Sequence, residues 1–343
     1  MGTAITELLK SKEIRLEDLH GKKLAVDGQN QLYMFLSNIR QADGSLLMDS
    51  KGQVTSHLMG ILNRFSNILE NGIKPVFVFD GETPKLKHAE RERRKGIKIE
   101  AQKKFEEAKQ KEDLDEMKKY AARTSRLTSE MIEEAKALIK AMGMPIVQAP
   151  TEGEAQAAYM AQKGDVYAVM SQDADCFLFG APRLIKNLTI SRRRKKIGTQ
   201  TYKTMNPEMV SLADNLNELQ LQQDQLIVLA MLVGTDFNVG GIKGLGPKKS
   251  LSLVKKFGTN FEPLFKEAKW DDFFDYPWKT VFDLLKNMGT TDNYELEWSN
   301  PDSEAMYKIL VEKHDFGEER VKNVIEKMCH GKDKQQKGLG DFF

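Results

Sequence analysis

The sequence predicts an α/β fold with a mostly parallel central sheet flanked by helices. Over residues 1–210, short apolar runs typical of buried parallel strands alternate with segments of helical apolar spacing. This alternation is typical of strand–helix–strand units, which build parallel sheets. Beyond residue 205 the spacing is mainly helical, which predicts a helical extension. With 343 residues, the chain is long enough to bury a large core.

Aspartates follow three of the predicted strands. The apolar runs at residues 24–26 and 76–79 lead directly into an aspartate, and the run at 166–170 is followed by acids from the third residue onward. These are Asp27, Asp80, Asp173 and Asp175. Because ligands bind outside the carboxyl ends of parallel strands, we expect these side chains to converge at one edge of the sheet.

Three further acids belong to the same predicted cluster. Glu152 and Glu154 stand at the start of a predicted helix, and Asp236 follows an apolar helix. Seven carboxylates gathered together repel one another, and desolvation adds to that cost. Hard divalent cations with oxygen ligands relieve the repulsion. A pair of Mg²⁺ ions held this way could promote phosphodiester hydrolysis.

Each acid also has a purely structural interpretation when taken alone. Asp27 and Asp80 could form strand-end turns, and Asp173 and Asp175 could be loop residues. Thr151 and Glu154 fit a helix capping box. Taken together, three strands that end in aspartate and two closely spaced acidic pairs favour the metal interpretation.

Composition excludes several classes of protein. No window approaches eighteen uninterrupted apolar residues, and the N-terminus lacks the apolar segment of a signal peptide. Two cysteines, Cys176 and Cys329, cannot form a disulfide framework. We therefore expect a protein of the reducing cytoplasm, with no membrane partner.

The distribution of charge indicates nucleic acid, although the net charge is only +2. Residues 85–126 carry fifteen Lys or Arg against nine Asp or Glu, and residues 183–203 carry eight basic residues and no acid, including Arg192, Arg193 and Arg194. Each run alone is explained by a solvated face. Three runs beside predicted acidic sites favour binding of phosphates. The third run covers residues 243–256, with five lysines.

A glycine-rich hairpin, GGIKGLGPKK at residues 240–249, overlaps the start of that third run. Glycines let a backbone approach phosphate closely, and amides at a helix N-terminus point toward an anion. We predict a helix-hairpin-helix element that grips the backbone of a duplex without reading its sequence. An ordinary helix–helix turn is the alternative. The predicted DNA contacts are Lys243, Gly244, Gly246, Lys248 and Lys249.

The segments 97–122 and 331–343 are poor in core-forming residues. The first is a highly charged helical stretch that we expect to project into solvent. The second is predicted to be a flexible tail that ends in two phenylalanines. Exposed apolar residues on a polar tail indicate a partner site, although the tail could also fold back onto its own domain.

The motifs AVDGQNQLYMFL, VFVFDGETPKLK, APTEGEAQAAYM, SQDADCFLFG, VGTDF and GGIKGLGPKKS, with the tail, are together highly specific. They resemble the flap endonucleases of the Rad2/XPG structure-specific nuclease family, and the resemblance runs from Gly2 to Phe343. It implies a 5′-flap endonuclease and 5′→3′ exonuclease in Okazaki fragment maturation and DNA repair. It also implies two Mg²⁺ ions, with Mn²⁺ as substitute, and a K⁺ ion at the hairpin.

The resemblance assigns roles to individual residues. Asp80, Glu152, Glu154 and Asp173 would serve one metal, and Asp27, Asp175 and Asp236 would complete the second metal site or its water shell. Asp173 and Asp175 count among the catalytic residues. Lys87 and Arg94 would stabilise the scissile phosphate, and Tyr33 would stack on a base. The alternatives are that Lys87 and Arg94 are only surface charges of the arch, and that Tyr33 is a core residue.

The resemblance also implies a division of the chain. Residues 1–95 form an N-terminal nuclease region, 96–130 a helical arch, and 131–330 an internal nuclease region with the hairpin element at about 225–258. The tail, residues 331–343, would bind a sliding clamp of the PCNA type. The clamp-binding residues are Gln336, Leu339, Phe342 and Phe343.

Departures from the family pattern are modest. The family reads D-A-S where this chain has Asp27-Gly28-Gln29, and E-A-E-A where it has Glu152-Gly153-Glu154-Ala155. Neither change removes an acid. No basic nuclear-localisation segment follows the tail motif, which suggests an archaeal protein, and we expect a monomer. The rival interpretations are a non-catalytic adaptor that holds DNA junctions and a Mg²⁺ phosphatase for small molecules.

Overall fold

Short apolar strands and capped amphipathic helices make up the fold in a computed structural model. It describes residues 4–111, 113, 116–117, 120, 124–190, 193–195 and 202–340. These residues fall into two units. The first unit contains Met1–Arg15, Asp80–Glu92 and Gln148–Asn293, and the second contains Leu16–Phe79, Arg93–Val147 and Tyr294–Phe343.

The strands are mostly short. In chain order they are β1 (Lys12–Glu13), β2 (Lys23–Asp27), β3 (Lys74–Phe79), β4 (Ile146–Gln148), β5 (Ala168–Met170), β6 (Arg183–Lys186), β7 (Arg193–Lys195), β8 (Tyr202–Thr204) and β9 (Glu208–Ser211).

The α-helices follow the strands and dominate the C-terminal half. In chain order they are α1 (Gly28–Asn38), α2 (Ser56–Gly60), α3 (Ser66–Glu70), α4 (His88–Gln110), α5 (Ser129–Ala141), α6 (Gly153–Lys163), α7 (Leu212–Leu219), α8 (Gln223–Val233), α9 (Pro247–Phe257), α10 (Phe261–Glu267), α11 (Trp278–Lys286), α12 (Ser303–Tyr307) and α13 (Glu318–Gly340). In the described part of the chain, no helix combines the length and the apolarity that crossing a membrane requires.

In the second unit, parallel pairing joins β2 to β3, with Leu24 opposite Pro75 and Asp27 opposite Val78. Both strands are buried after their first residue, as expected for parallel strands that are covered on both faces. Strand β4 is the other neighbour of β3. The register leaves Asp27 at the carboxyl end of β2, as the sequence predicts.

The first unit contains the strand order β1-β9-β6-β5. Strands β5 and β6 are parallel, whereas β9 pairs antiparallel with both β6 and β1. Strands β7 and β8 form a separate antiparallel pair. The predicted α/β class with a mostly parallel sheet is confirmed, and the antiparallel strands lie at its edge.

Two helical segments differ from the sequence-based expectation. Helix α4 begins at His88, nine residues before the predicted start, because its charged first turns lack the apolar spacing that marks a helix. Ion pairs one turn apart, such as Lys104 with Glu100, support this exposed helix. Helix α13 continues to Gly340, so the backbone at residues 331–340 is helical where the sequence predicts a flexible tail.

A buried polar cluster lies in the second unit. His314 Nδ1 is 2.9 Å from Asp49 Oδ2, and its Nε2 is 3.2 Å from Glu134 Oε1. Lys313 Nζ donates to the same Glu134 oxygen at 2.6 Å. Nearby, burial lowers the pKa of His57, which favours its neutral form. The cluster therefore links the segment after α1 to α5 and to the segment before α13.

We predict that Glu134→Gln destabilises the protein at neutral pH. His57, acting against burial, and then Lys313 and His314 lower the pKa of Glu134 to about 2. A depressed carboxyl pKa contributes stability that is present above the unfolded value and is lost as the pH falls from about 4.5 toward 2. Urea unfolding should show the variant about 1–2 kcal/mol less stable at pH 7, after allowance for partial exposure, with the difference shrinking by pH 3.

The control is Glu133→Gln, which removes an exposed partner of Lys136 on the same helix. It should change the free energy of unfolding by no more than about 0.5 kcal/mol at either pH. A Glu134→Gln penalty that is equal at pH 7 and pH 3 would contradict the assigned ionisation.

Candidate active site

Backbone hydrogen bonds bring Asp80 and Glu152 together in the first unit. Gly81 N donates to Thr151 O at 2.6 Å, and Glu82 N donates to Pro150 O at 2.9 Å. A Cβ atom at Gly81 would lie 2.2 Å from Ala149 O, so this approach requires glycine.

The carboxylate of Asp80 meets the start of α6. Its Oδ1 accepts a hydrogen bond from Gly153 N at 2.7 Å, where the exposed amides of a helix N-terminus favour negative charge. Glu152 is the N-cap residue of the same helix, and Glu154 lies in its first turn. The three acids are therefore positioned by one helix end, as the sequence predicts for Glu152 and Glu154.

Lys87 supplies a positive charge to these acids. It ends a single 3₁₀ turn, Lys85–Lys87, directly before α4. Its Nζ donates to Glu152 Oε2 and lies 3.4 Å from Asp236 Oδ2. Although burial by itself lowers the pKa of Lys87, the charges of Glu152 and Asp236 raise it above the ordinary lysine value. Lys87 is therefore a half-buried ammonium group among carboxylates.

The carboxylates are held at an energetic cost. Burial raises the pKa of Asp80 and the pKa of Glu152 above their ordinary values, against the opposing effect of Lys87. Asp236 adds a like charge to both. A raised carboxyl pKa means that the ionised form is disfavoured unless a cation lies nearby. Lys87 offsets part of this cost, and the pKa of both acids stays raised in its presence.

Asp236 lies on a loop that is fixed from within. Thr235 Oγ1 donates to Asn238 Oδ1 at 2.6 Å, and Asn238 Nδ2 donates to Met231 O at 2.7 Å. Gly241 has a φ of +58°, and a Cβ there would lie 2.4 Å from the carbonyl of Val233. The backbone of the loop at Gly241 therefore packs directly against the backbone at Val233. Sequence patterns did not identify Thr235 or Asn238 as part of the site, because their contacts depend on this closure.

Asp173 and Asp175 follow β5 in the same unit, as predicted. Asp173 N donates to the hydroxyl of buried Ser171 at 3.2 Å. Asp175 opens a short 3₁₀ turn, Asp175–Phe177, whose other two residues are buried. The first unit therefore carries six of the seven predicted metal ligands.

Asp27, Tyr33 and Arg94 belong to the second unit. Asp27 is buried and caps α1, because its Oδ1 accepts from Asn30 N at 3.0 Å. Tyr33 is 38% exposed, so it is not a core residue, and Lys98 Nζ lies 4.6 Å from its ring centroid. Arg94 is on α4, as is Lys98. An exposed aromatic ring beside a cation is suited to stacking on an unpaired base.

Within the described ranges, no three His, Cys, Asp or Glu side chains are grouped closely enough to hold a metal ion. One physical reason for this lack of a metal-holding group is the ion pair of Lys87 with Glu152, which places an ammonium group among the carboxylates. The donor chemistry nevertheless fits a hard divalent cation, because Asp80, Glu152 and Asp236 offer buried oxygens that need positive charge. The two Mg²⁺ ions remain a prediction.

The hairpin after Asp236 has the predicted form. Gly240, Gly241 and Gly244 all have positive φ, and α9 begins with Pro247 at its first position. Gly244, Gly246 and the lysines at 243, 248 and 249 are exposed. Exposed lysines at a helix N-terminus form a surface that attracts phosphates.

Several predicted contact residues cannot be placed. Arg192, Phe342 and Phe343 lie outside the described residues. Arg193 and Arg194 lie in β7, and their side chains are outside the description. The same holds for Gln336 and Leu339 on α13. Their roles stay predictions.

Comparison with known proteins places this site in a family. The family model of the XPG N-terminal domain matches residues 3–101, and that of the XPG I-region matches residues 143–236. These two regions contain every predicted metal ligand. The chain belongs to the XPG family of structure-specific nucleases, among its flap endonucleases, as the motifs indicate.

The similarity extends over nearly the whole chain. Flap endonuclease 1 of Pyrococcus furiosus is 52% identical over 328 residues, which cover 96% of this chain and 95% of that protein. The structure of flap endonuclease-1 from Methanococcus jannaschii matches with a TM-score of 0.77 at 41% identity, covering 97% of this chain and 100% of that one. The catalytic core of Rad2 in complex with DNA substrate matches with a TM-score of 0.70 at 25% identity, covering 96% and 100%.

We predict that Lys87→Met makes the protein more dependent on divalent cations for stability. Removal of the ammonium leaves the buried carboxylates without their counter-charge, which is strongly destabilising. In EDTA, the melting temperature should fall by several degrees. Added Mg²⁺ should raise it by more than it does for the wild type, because the cation no longer competes with lysine.

Lys286→Met is the matched control, since Lys286 forms an exposed ion pair with Asp224 at 2.6 Å in the same unit. Its melting temperature should respond to Mg²⁺ as the wild type does. Equal Mg²⁺ responses of Lys87→Met and wild type would show that Lys87 does not neutralise a cation site.

Proposed function

We propose that the chain is a metal-dependent 5′-flap endonuclease and 5′→3′ exonuclease that cleaves DNA where single and double strands meet. The observation that carries this proposal is the near full-length likeness to flap endonucleases, at 52% identity over 96% of the chain. The chain is a 5′-flap endonuclease by that membership. The metal requirement, the exonuclease activity and the cellular role are the proposed additions.

Binding of the duplex is assigned to the hairpin and the start of α9. The exposed lysines there offer positive charge, and the glycine-rich turn lets the backbone approach the phosphates. This contact is sequence-independent, so affinity should fall steeply with salt. Arg192, Arg193 and Arg194 are proposed as further phosphate contacts. A K⁺ ion held by hairpin carbonyls would add to this grip.

Hydrolysis is assigned to the acidic cluster. Asp80, Glu152, Glu154 and Asp173 would hold one Mg²⁺ ion and Asp27, Asp175 and Asp236 the other, with Mn²⁺ as a substitute. Bound there, the cations would supply activation of a water nucleophile and stabilisation of the leaving oxygen. The raised carboxyl pKa values of Asp80 and Glu152 support this assignment, because they show acids that gain from added positive charge.

Other side chains bind and orient the DNA strand. Once its partners are neutralised by other cations, Lys87 can donate to the scissile phosphate as negative charge develops. Arg94 is proposed to share this role. Tyr33 offers an exposed ring for stacking on a base beside the scissile bond. Helix α4, rich in charge and largely exposed, is suited to contact the single strand as the arch.

The proposed cellular role is processing of 5′ flaps in Okazaki fragment maturation and repair, in the archaeal cytoplasm. The relatives that support an archaeal origin include that of Pyrococcus furiosus. The chain would act as a monomer on branched DNA. A sliding clamp of the PCNA type would hold it there through Gln336, Leu339, Phe342 and Phe343.

The function is tested with Asp175→Asn and Asp173→Asn on a labelled flap duplex. Each variant should bind the junction with wild-type affinity and should lose at least about 100-fold in single-turnover cleavage rate in Mg²⁺. EDTA should abolish wild-type cleavage. Asp292→Asn, which removes an exposed partner of Tyr159 and Lys163, is the control and should cleave normally.

Three outcomes separate the alternatives. Cleavage by either variant at nearly the wild-type rate in saturating Mg²⁺ would refute the metal assignment. Junction binding by the wild type without any cleavage would indicate an adaptor. Hydrolysis of small phosphate esters without flap cleavage would indicate a phosphatase.

We also predict that Phe342→Ala combined with Phe343→Ala weakens binding to the sliding clamp by at least tenfold. Buried aromatic anchors dominate the energy of such interfaces. Surface plasmon resonance against immobilised clamp measures the effect. Phe273→Ala, which removes an exposed phenylalanine of the first unit, serves as the control and should bind as the wild type does. Unchanged affinity of the double variant would exclude the tail as the binding segment.

A further inference from the structure

We propose that Tyr276 is a positioning residue for Asp236, an inference that rests on the proposed metal-dependent function. The hydroxyl of Tyr276 donates to the backbone carbonyl oxygen of Phe237 at 3.1 Å. Phe237 directly follows Asp236. The hydrogen bond therefore restrains the backbone of the residue next to Asp236, at the peptide that joins Phe237 to Asn238.

Tyr276 lies outside the loop at residues 233–241 that it restrains. Within the loop, hydrogen bonds join Thr235 to Asn238, and Asn238 to the carbonyl oxygen of Met231 in α8. None of these bonds uses the Phe237 carbonyl. Tyr276 is 39 positions away and ties this carbonyl to a different part of the first unit. It thus adds a second, independent anchor next to Asp236.

The position restrained in this way belongs to the acidic cluster. Asp236 Oδ2 lies 3.4 Å from Lys87 Nζ, and the Phe237 ring centroid lies 5.9 Å from the same nitrogen. A shift of the backbone at Phe237 would therefore move both groups relative to Lys87. A metal ligand must be held within a fraction of an ångström to bind well, so a loss of this restraint should weaken cation binding.

Tyr276 is itself held in place by aromatic packing. Its carbonyl oxygen accepts from Trp270 Nε1 at 2.7 Å, and its ring centroid lies 5.6 Å from that of Phe274. Trp270 is fully buried and packs edge-on against Phe265 of α10 at 5.2 Å. Because this packing holds Tyr276 in place, its hydroxyl is preorganised, and forming its hydrogen bond costs little further conformational entropy.

The aromatic cluster around Trp270 is joined to α9, the helix to which duplex binding is assigned. Lys256 of α9 forms an ion pair at 2.6 Å with Glu267 of α10, the helix that carries Phe265. The hydroxyl of Tyr276 itself touches none of the exposed hairpin lysines. Loss of that hydroxyl should therefore affect the acidic cluster and leave junction binding unchanged.

The test is Tyr276→Phe, which removes the hydroxyl and keeps the ring. Mn²⁺ alone is titrated into the full chain without DNA, and free Mn²⁺ is followed by electron paramagnetic resonance. The dissociation constant for Mn²⁺ should rise about threefold to tenfold, the range that one hydrogen bond to a ligand segment supports. The dissociation constant for a flap junction, measured in Ca²⁺, should stay within about twofold of the wild type.

Tyr159→Phe is the matched control, because it removes an exposed hydroxyl bound to Asp292 in the same unit. It should bind Mn²⁺ as the wild type does. A purely structural role of Tyr276 predicts an equal drop in melting temperature with and without Mn²⁺. A positioning role predicts that the rise in melting temperature on adding Mn²⁺ becomes smaller in Tyr276→Phe.

A double-mutant cycle with Asp236→Asn keeps the two proposals apart. If Tyr276 acts through Asp236, Tyr276→Phe should not weaken Mn²⁺ binding further in the Asp236→Asn background. Wild-type Mn²⁺ affinity in Tyr276→Phe would overturn this inference while leaving the proposed function intact. Failure of the wild type to bind Mn²⁺ at all would overturn both.

Discussion

The contact between Lys87 and the buried carboxylates is the interaction on which the catalytic part of the first unit depends. Burial makes the ionised forms of Asp80 and Glu152 costly, and like charge from Asp236 adds to the cost. The ammonium group of Lys87, which lies among these carboxylates, offsets part of that cost. The fold can therefore hold these acids close together in a largely buried position.

Close backbone approaches are what deliver the acids to Lys87. Gly81 lets residues 80–82 hydrogen-bond to residues 150 and 151, and Gly241 closes the loop of Asp236 against Val233. Glycine is required at both positions, because a Cβ there would collide with the facing backbone. The hairpin begins inside the second of these closures. The proposed duplex-binding hairpin and the loop that places Asp236 are thus built on adjoining residues.

Much of this arrangement could be predicted from the sequence. The buried strands at 24–26, 76–79 and 166–170, with aspartate after each, have a local pattern that survives in the structure. The glycine hairpin and the start of α9 at Pro247 were predictable for the same reason. Continuous apolar runs and special backbone angles are encoded by neighbours in the chain.

Contacts between distant residues could not be predicted in this way. The ion pair of Lys87 with Glu152 joins residues 65 positions apart, and no periodicity marks a lysine as buried. Helix α4 starts earlier than expected, since its first turns are charged throughout. The hydrogen bond of Tyr276 to Phe237 depends on the packing of Trp270 and is invisible in the sequence. Asp27 proved to be a helix cap as well as a strand-end acid.

The most direct measurement of the central claim is an anomalous difference map from crystals of the full chain soaked in Mn²⁺. The account predicts peaks bonded to oxygens of Asp80, Glu152 and Asp236, with Lys87 Nζ moved away from Glu152. A map without manganese among these carboxylates, with Lys87 still bonded to Glu152, would contradict it.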